Sequence, residues 1–279
     1  MSRNVSQSLR EAAALLASAS DTPRLDAELL MAEALGVSRS DLLLRHMDGQ
    51  VPERFAALLE RRRNHEPVAY ILGHQEFYGL DFRVTAEVLI PRSDSEVLVE
   101  AASAARPCAT RVLDCGTGSG ALLLAVLSEL PKAEGVGIDR SAAALVVAQD
   151  NAVRLGLSDR ARMALADWDK PGWSDALGGP FDLVLANPPY VETTADLAPS
   201  VHAHEPHGAL FAGSEGLDAY RVLIPQLPAL LAAAGVALFE IGHTQAEVVT
   251  AIAAAAGFGA RLHRDLGGRP RALELSILP

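Results

Sequence analysis

Val112-Leu113-Asp114-Cys115-Gly116-Thr117-Gly118-Ser119-Gly120 is an apolar run that breaks into closely spaced glycines just ahead of a helical stretch. Glycines at a strand end let the backbone approach a ligand where side chains would obstruct it. A cofactor is therefore expected at the carboxyl end of this strand, against Gly116, Thr117, Gly118, Ser119 and Gly120.

Outward from this stretch, the strand-like runs Glu134 to Asp139, Ala161 to Asp167, Phe181 to Ala186 and Val236 to Ile241 alternate with helical segments. Two further runs, Ala260 to Asp265 and Arg271 to Leu278, read as an antiparallel tail pair. The pattern predicts an α/β domain on a mainly parallel sheet. Tyr220 to Ala234 reads as a helix that Pro225 and Pro228 force to start late or to kink. Asp139, ending the second run, is placed to accept hydrogen bonds from both hydroxyls of a ribose, and Asp167-Trp168 to bond and pack against an adenine. Gly116, Gly118 and Ala121 also satisfy the G-x-G-x-x-A form of dinucleotide enzymes, so a dehydrogenase stays open. Asp114 argues against it. A carboxylate there would face a pyrophosphate unfavourably, yet could hold the amino group of a methionine moiety.

The run Phe181 to Ala186 delivers Asn187-Pro188-Pro189-Tyr190 to the same sheet edge. An amide or aromatic-amine nitrogen has a delocalised lone pair, and removing its proton first is too costly near pH 7. Two fixed acceptors, the Asn187 carboxamide oxygen and the Pro188 carbonyl, can instead take hydrogen bonds from its two N–H groups. Those bonds strengthen as the nitrogen gains positive charge, so they favour the transition state over the bound substrate. Each proline restricts the residue before it to extended conformations, which holds the acceptors in place beforehand. Tyr190 would stack on the planar group.

Up to about Gly73 the apolar residues recur at helical spacing, as in Leu9, Ala12, Ala13 and Leu16. Asp21 or Thr22, Pro23 and Gly36 punctuate a second helix, and Arg61-Arg62-Arg63 closes another as a solvated basic end. Alternation at Leu80, Phe82 and Val84 predicts a short hairpin. The expected division is a helical domain over 1–75, a hairpin linker over 76–92 and an α/β domain over 93–279.

With 49% hydrophobic and 21% charged residues, the chain can bury a proper core. A net charge of −11 repels polyanions, which argues against a stable nucleic-acid partner. No apolar run resembles a signal peptide or a membrane span, so the protein is read as cytoplasmic and free of membranes; a monomer is expected. Cys108 and Cys115 suggest neither a disulfide framework nor a zinc site. His202, His204 and His207 with Glu205 have ligand-like spacing, but no metal is expected.

Arg24-Leu25-Asp26-Ala27-Glu28-Leu29-Leu30, Glu66-Pro67-Val68-Ala69-Tyr70-Ile71-Leu72-Gly73, Glu76-Phe77-Tyr78-Gly79 and Leu89-Ile90-Pro91-Arg92 resemble the helical domain and hairpin of the release factor glutamine methyltransferases, the PrmC/HemK family. So do Glu205-Pro206, Gly216-Leu217-Asp218-Ala219-Tyr220 and Phe239-Glu240-Ile241-Gly242, and the likeness spans nearly the whole chain. It implies a Rossmann-like class I methyltransferase domain, with a seven-stranded mostly parallel sheet and an antiparallel terminal strand, behind a small helical domain and a β-hairpin linker. It implies S-adenosylmethionine as cofactor, held by the glycine segment, Asp139, Trp168 and Asn187. It also implies peptide chain release factors as protein substrates, docked by the helical domain, with Asn187 to Tyr190 gripping the glutamine of their Gly-Gly-Gln loop. Ser93 and Pro270 depart from the family pattern, as does Cys115. A glutamine methyltransferase of a ribosomal protein and an adenine-amine nucleic-acid methyltransferase are the rival readings. The second would call for a basic recognition domain.

Overall fold

The computed structural model describes residues 4–278, which fall into two compact units. The first holds residues up to His74 together with Leu197–His204, and the second holds the rest.

In the first unit, helices Val5–Leu16, Pro23–Leu35, Arg54–Arg63 and Val68–Leu72 enclose a core that includes Leu9, Leu30, Met31, Leu42 and Phe55. Asn4 caps the first helix by accepting the Gln7 N–H, and Pro23 opens the second, which ends at Gly36 with φ 69°. The reading of Arg61-Arg62-Arg63 as a solvated end fails at its centre. Arg62 is only 8% exposed, and its Nε donates to Asp26 Oδ2 at 2.7 Å. A helix end turns one residue in three or four inward, and here that residue is an arginine because a buried carboxylate faces it.

Strands β1 (His74–Phe77) and β2 (Leu80–Arg83) form the hairpin, turning through Tyr78 and Gly79, both at positive φ. The second unit's sheet comprises β3 (Arg111–Cys115), β4 (Glu134–Asp139), β5 (Ala161–Leu165), β6 (Phe181–Ala186), β7 (Leu231–Glu240), β8 (Phe258–Arg264) and β9 (Pro270–Ile277). Their order is β5-β4-β3-β6-β7-β9-β8, with β9 antiparallel to both its neighbours and the other pairings parallel. Alternate residues feed two cores. Val112, Leu183 and Leu185 pack on one face with Phe77, Phe82 and the helix Ala121–Glu129, and Leu113, Val184 and Phe239 on the other with Tyr220 and Val249.

The limits of β5, β7, β8 and β9 differ from expectation, those of β8 and β9 by one or two residues. The stretch after Tyr220 is not one helix: Asp218–Leu223 is α-helical, a 3₁₀ turn covers Ile224–Gln226, Leu227–Leu230 makes one more turn, and β7 begins at Leu231. Pro225 and Pro228 lack the N–H groups a continuous helix needs, and Leu231 is claimed by pairing with Phe181. β5 stops at Leu165, two residues short of Asp167. Of the three departures from the family pattern, Ser93 opens a 3₁₀ turn, Cys115 is buried at the end of β3, and Pro270 pairs with Arg264 beside a register shift, a place where a missing N–H is tolerated.

Candidate active site

The chain runs outward from β3 through β4 to β5 and then returns to the other side of β3 as β6, making a topological switch point where crevices form in open α/β sheets. A cavity of about 390 Å³ opens there. Cys115 pairs with Ala186, so Gly116 and Asn187 leave neighbouring strands side by side. Asp114, Gly116, Thr117, Gly118 and Ser119 line the cavity from one side, Asp139, Asp167 and Trp168 from the next strands, and Asn187 and Pro189 from β6. Gly120, Pro188 and Tyr190 are not among its walls. Gly120 instead precedes the helix Ala121–Glu129 at φ 82°, where a Cβ would come within 3.3 Å of Ala148.

Four amides of the glycine loop are spent internally. Gly116 and Thr117 donate to the Ile138 carbonyl at 2.9 and 2.8 Å, Gly118 to Asp139 Oδ2 at 3.0 Å, and Gly120 to the Thr117 carbonyl at 2.7 Å. A dinucleotide's pyrophosphate needs such amides free, so the loop suits a nucleoside without one. Asp139 also accepts the Ser141 N–H at 2.9 Å, which orients the carboxylate and leaves lone pairs for a diol. The Trp168 indole lies on Gly116 so closely that a Cβ there would meet it at 3.2 Å, a flat apolar wall fit for an adenine.

Asp114 is 1% exposed. Thr117 Oγ1 donates to its Oδ2 at 2.7 Å, while Oδ1 has no hydrogen-bond partner among the described residues. Burial, reinforced by the negative charge of Asp139 and only partly offset by Thr117, pushes the carboxyl up to about 7. An orphaned acceptor of this kind fits an ammonium group. Together with Asp139 and Trp168 it makes a donor and acceptor set that S-adenosylmethionine matches at amino group, ribose and adenine.

The turn over residues 187–190 is locked without using its first two residues. Among the described residues neither the Asn187 carboxamide nor the Pro188 carbonyl accepts a protein hydrogen bond. Tyr190 donates its hydroxyl to Glu240 Oε1 at 3.2 Å, and its carbonyl accepts Gln245 Nε2 at 3.1 Å. Val191 bonds Leu210 at 2.9 Å beyond it. Gly216 has φ 67°, and a Cβ there would stand 2.2 Å from the Tyr190 carbonyl.

Sequence reasoning missed one wall, formed by Pro206, Gly208 and Gly213, and the buried Ser95 opposite. The glycines after Pro206 mark a loop, and loops at a sheet's carboxyl edge carry function. Arg140 holds this loop by donating to the Gly208 carbonyl at 2.9 Å. Glu205 is a strut beneath it, buried, paired with Arg92 and accepting the Ile90 N–H at 3.3 Å. Among the described residues no three His, Cys, Asp or Glu side chains gather as a metal would require.

The PrmC N-terminal domain model matches residues 7–73, and a methyltransferase domain model matches residues 108–214. A release factor glutamine methyltransferase of Rhodospirillum rubrum is 44% identical over 260 residues, spanning 91% of this chain and 78% of its own. Another, of Bradyrhizobium diazoefficiens, is 40% identical over 293 residues, spanning 99% and 96%. The chain belongs to the release factor glutamine methyltransferase family. As a member it is a methyltransferase dependent on S-adenosylmethionine, with the class I fold. A ribosomal protein L11 methylase of Lactobacillus delbrueckii shares that fold, with a TM-score of 0.51 and 21% identity over 71% of this chain and 86% of its own. In this family member the switch-point cavity and the 187–190 turn stand at one edge of one sheet.

Proposed function

We propose that the protein methylates the side-chain amide nitrogen of the glutamine in the Gly-Gly-Gln loop of peptide chain release factors. The observation that carries this is the pair of uncommitted acceptors, the Asn187 carboxamide oxygen and the Pro188 carbonyl, in a turn locked by Tyr190, Gln245 and Glu240. S-adenosylmethionine supplies the electrophilic methyl group on a positively charged sulfur. Asn187 and Pro188 receive the two N–H bonds of the glutamine amide and orient its nitrogen lone pair. As positive charge develops on that nitrogen they hold it more tightly. The Tyr190 ring gives the amide plane a flat face. Residues 1–75 dock the release factor, residues 76–92 link, and residues 93–279 carry the chemistry, in the cytoplasm and as a monomer. No helix among the described residues is long and apolar enough to cross a membrane.

Incubation with isotopically labelled S-adenosylmethionine and, separately, a release factor, ribosomal proteins and DNA tests this. Mass spectrometry is expected to find one methyl group on the Gly-Gly-Gln glutamine. Label confined to a ribosomal protein or to DNA would establish a rival substrate.

Asp114 holds the amino group of the cofactor in this scheme, which sets a pH dependence. Its folded carboxyl titrates near 7, above the ordinary 3.8. Below that pH it is protonated and cannot pair with an ammonium; above it the charge is present. Cofactor affinity is expected to rise roughly fivefold or more from pH 6 to pH 7.5 and then level, as read by calorimetry. Asp114→Asn flattens the rise. A wild-type profile already flat across that interval would remove Asp114 from the ammonium site.

A further inference from the structure

β7 ends in a carboxyl group for which the chemistry above has no direct use. Glu240 is 1% exposed at the sheet edge, one strand over from the strand that carries Asn187. Its Oε1 accepts the Tyr190 hydroxyl, and its Oε2, near the Ser95 hydroxyl, completes no hydrogen bond among the described residues. Leaving a buried polar atom unsatisfied is destabilising, so packing alone would favour a leucine here.

Burial pushes the Glu240 carboxyl up, while the neighbouring Ser95 hydroxyl, Arg271 on β9 and Tyr190 favour its charged form; the Arg271 Nη2 already donates to Asp94 at 2.9 Å and Asp265 at 3.4 Å. Burial and the Glu240 charge push the Tyr190 phenol up, which keeps the proton on the tyrosine oxygen and makes tyrosine the donor. The backbone of Glu240 is anchored too, since Tyr220 donates its hydroxyl to the Glu240 carbonyl at 2.8 Å. Tyr190 is thereby held at two ends, its carbonyl by Gln245 and its ring by Glu240.

We infer that Glu240 is a positioning residue for methyl transfer, holding the Tyr190 ring by its hydroxyl so that the 187–190 turn presents a rigid slot to the substrate amide. The inference rests on the proposed function, in which that turn grips the glutamine. A slot displaced by about 1 Å can cost on the order of a hundredfold in rate, and a tyrosine tethered only through its backbone can drift that far.

The experiment measures kcat and KM for the release factor, and Kd for S-adenosylmethionine, in wild type, Glu240→Leu, Glu240→Gln, Tyr190→Phe and the double variant Tyr190→Phe/Glu240→Leu. Glu240→Leu is expected to lower kcat/KM by about tenfold to a hundredfold, mostly in kcat, with cofactor Kd within about threefold. Glu240→Gln, which keeps an acceptor and sheds the charge, restores kcat/KM to within about threefold of wild type. The double variant is no worse than the poorer single one, because both remove one bond. Cofactor Kd weakening in step with kcat, glutamine rescuing no better than leucine, multiplicative losses or no loss at all would each overturn the inference. Should Glu240→Leu not fold, Tyr190→Phe keeps the ring, deletes the same bond and must show the same split. A wild-type enzyme that leaves the release factor unmethylated refutes the substrate instead, and the variants are then read on whichever substrate wild type does methylate.

Discussion

Asn187→Ala is expected to lower turnover by about 10² to 10³-fold, the range for losing one preorganised group that stabilises transition-state charge. Cofactor Kd should stay within several-fold. The backbone at this position is set by β6, whose last residue Ala186 pairs with both Cys115 and Phe239, and by the turn behind it, so alanine leaves the path of the chain intact. What disappears is one of two oxygens that receive the substrate's N–H bonds. The ground-state amide loses a weak neutral bond. The transition state, with positive charge growing on nitrogen, loses a stronger one, and the difference falls on kcat. Single-turnover transfer of a labelled methyl group, set beside calorimetric titration of the cofactor, separates the two effects. Equal losses in turnover and cofactor affinity would show that Asn187 mainly shapes the cofactor cavity.

The candidate site's position was legible in the sequence where it depends on neighbours along the chain. The glycine segment, Asp139 and Asn187 each directly follow or end an apolar run, and β3, β4 and β6 have the limits those runs imply because their residues are buried on both faces. β5 is an edge strand with partly exposed residues, so its apolar run says less about where pairing stops. The alanine-rich start of β7 favours helix by propensity, and only its pairing with β6 makes it a strand. Glu240 and Gln245 were out of reach for another reason. Nothing in local spacing tells which residue at the end of β7 will meet Tyr190, some fifty positions away, since that depends on sheet order. The family segment Phe239-Glu240-Ile241-Gly242 pointed to the place without giving a physical role.

The same limit governs the first unit, where one arginine of a basic triplet is a core residue. Arg62→Leu is expected to destabilise that unit by about 3–5 kcal/mol, the cost of breaking a buried ion pair from one side. Asp26 is buried and already takes the Ser20 hydroxyl at 2.7 Å and the Thr22 hydroxyl at 3.1 Å, and Arg62 Nε completes its shell at 2.7 Å. Leucine fills the volume but leaves a carboxylate charge buried without its cation. Replacing both partners, as Asp26→Leu/Arg62→Leu, removes the stranded charge and is expected to be markedly milder than Arg62→Leu alone. Arg61, on the exposed side, pairs with Glu66 at the surface, and Arg61→Leu should change stability by no more than about 1 kcal/mol. Urea unfolding of the four proteins decides the point. If Arg62→Leu and Arg61→Leu cost the same, the triplet is a solvated helix end after all, and the Asp26 carboxylate must reach water in the folded protein.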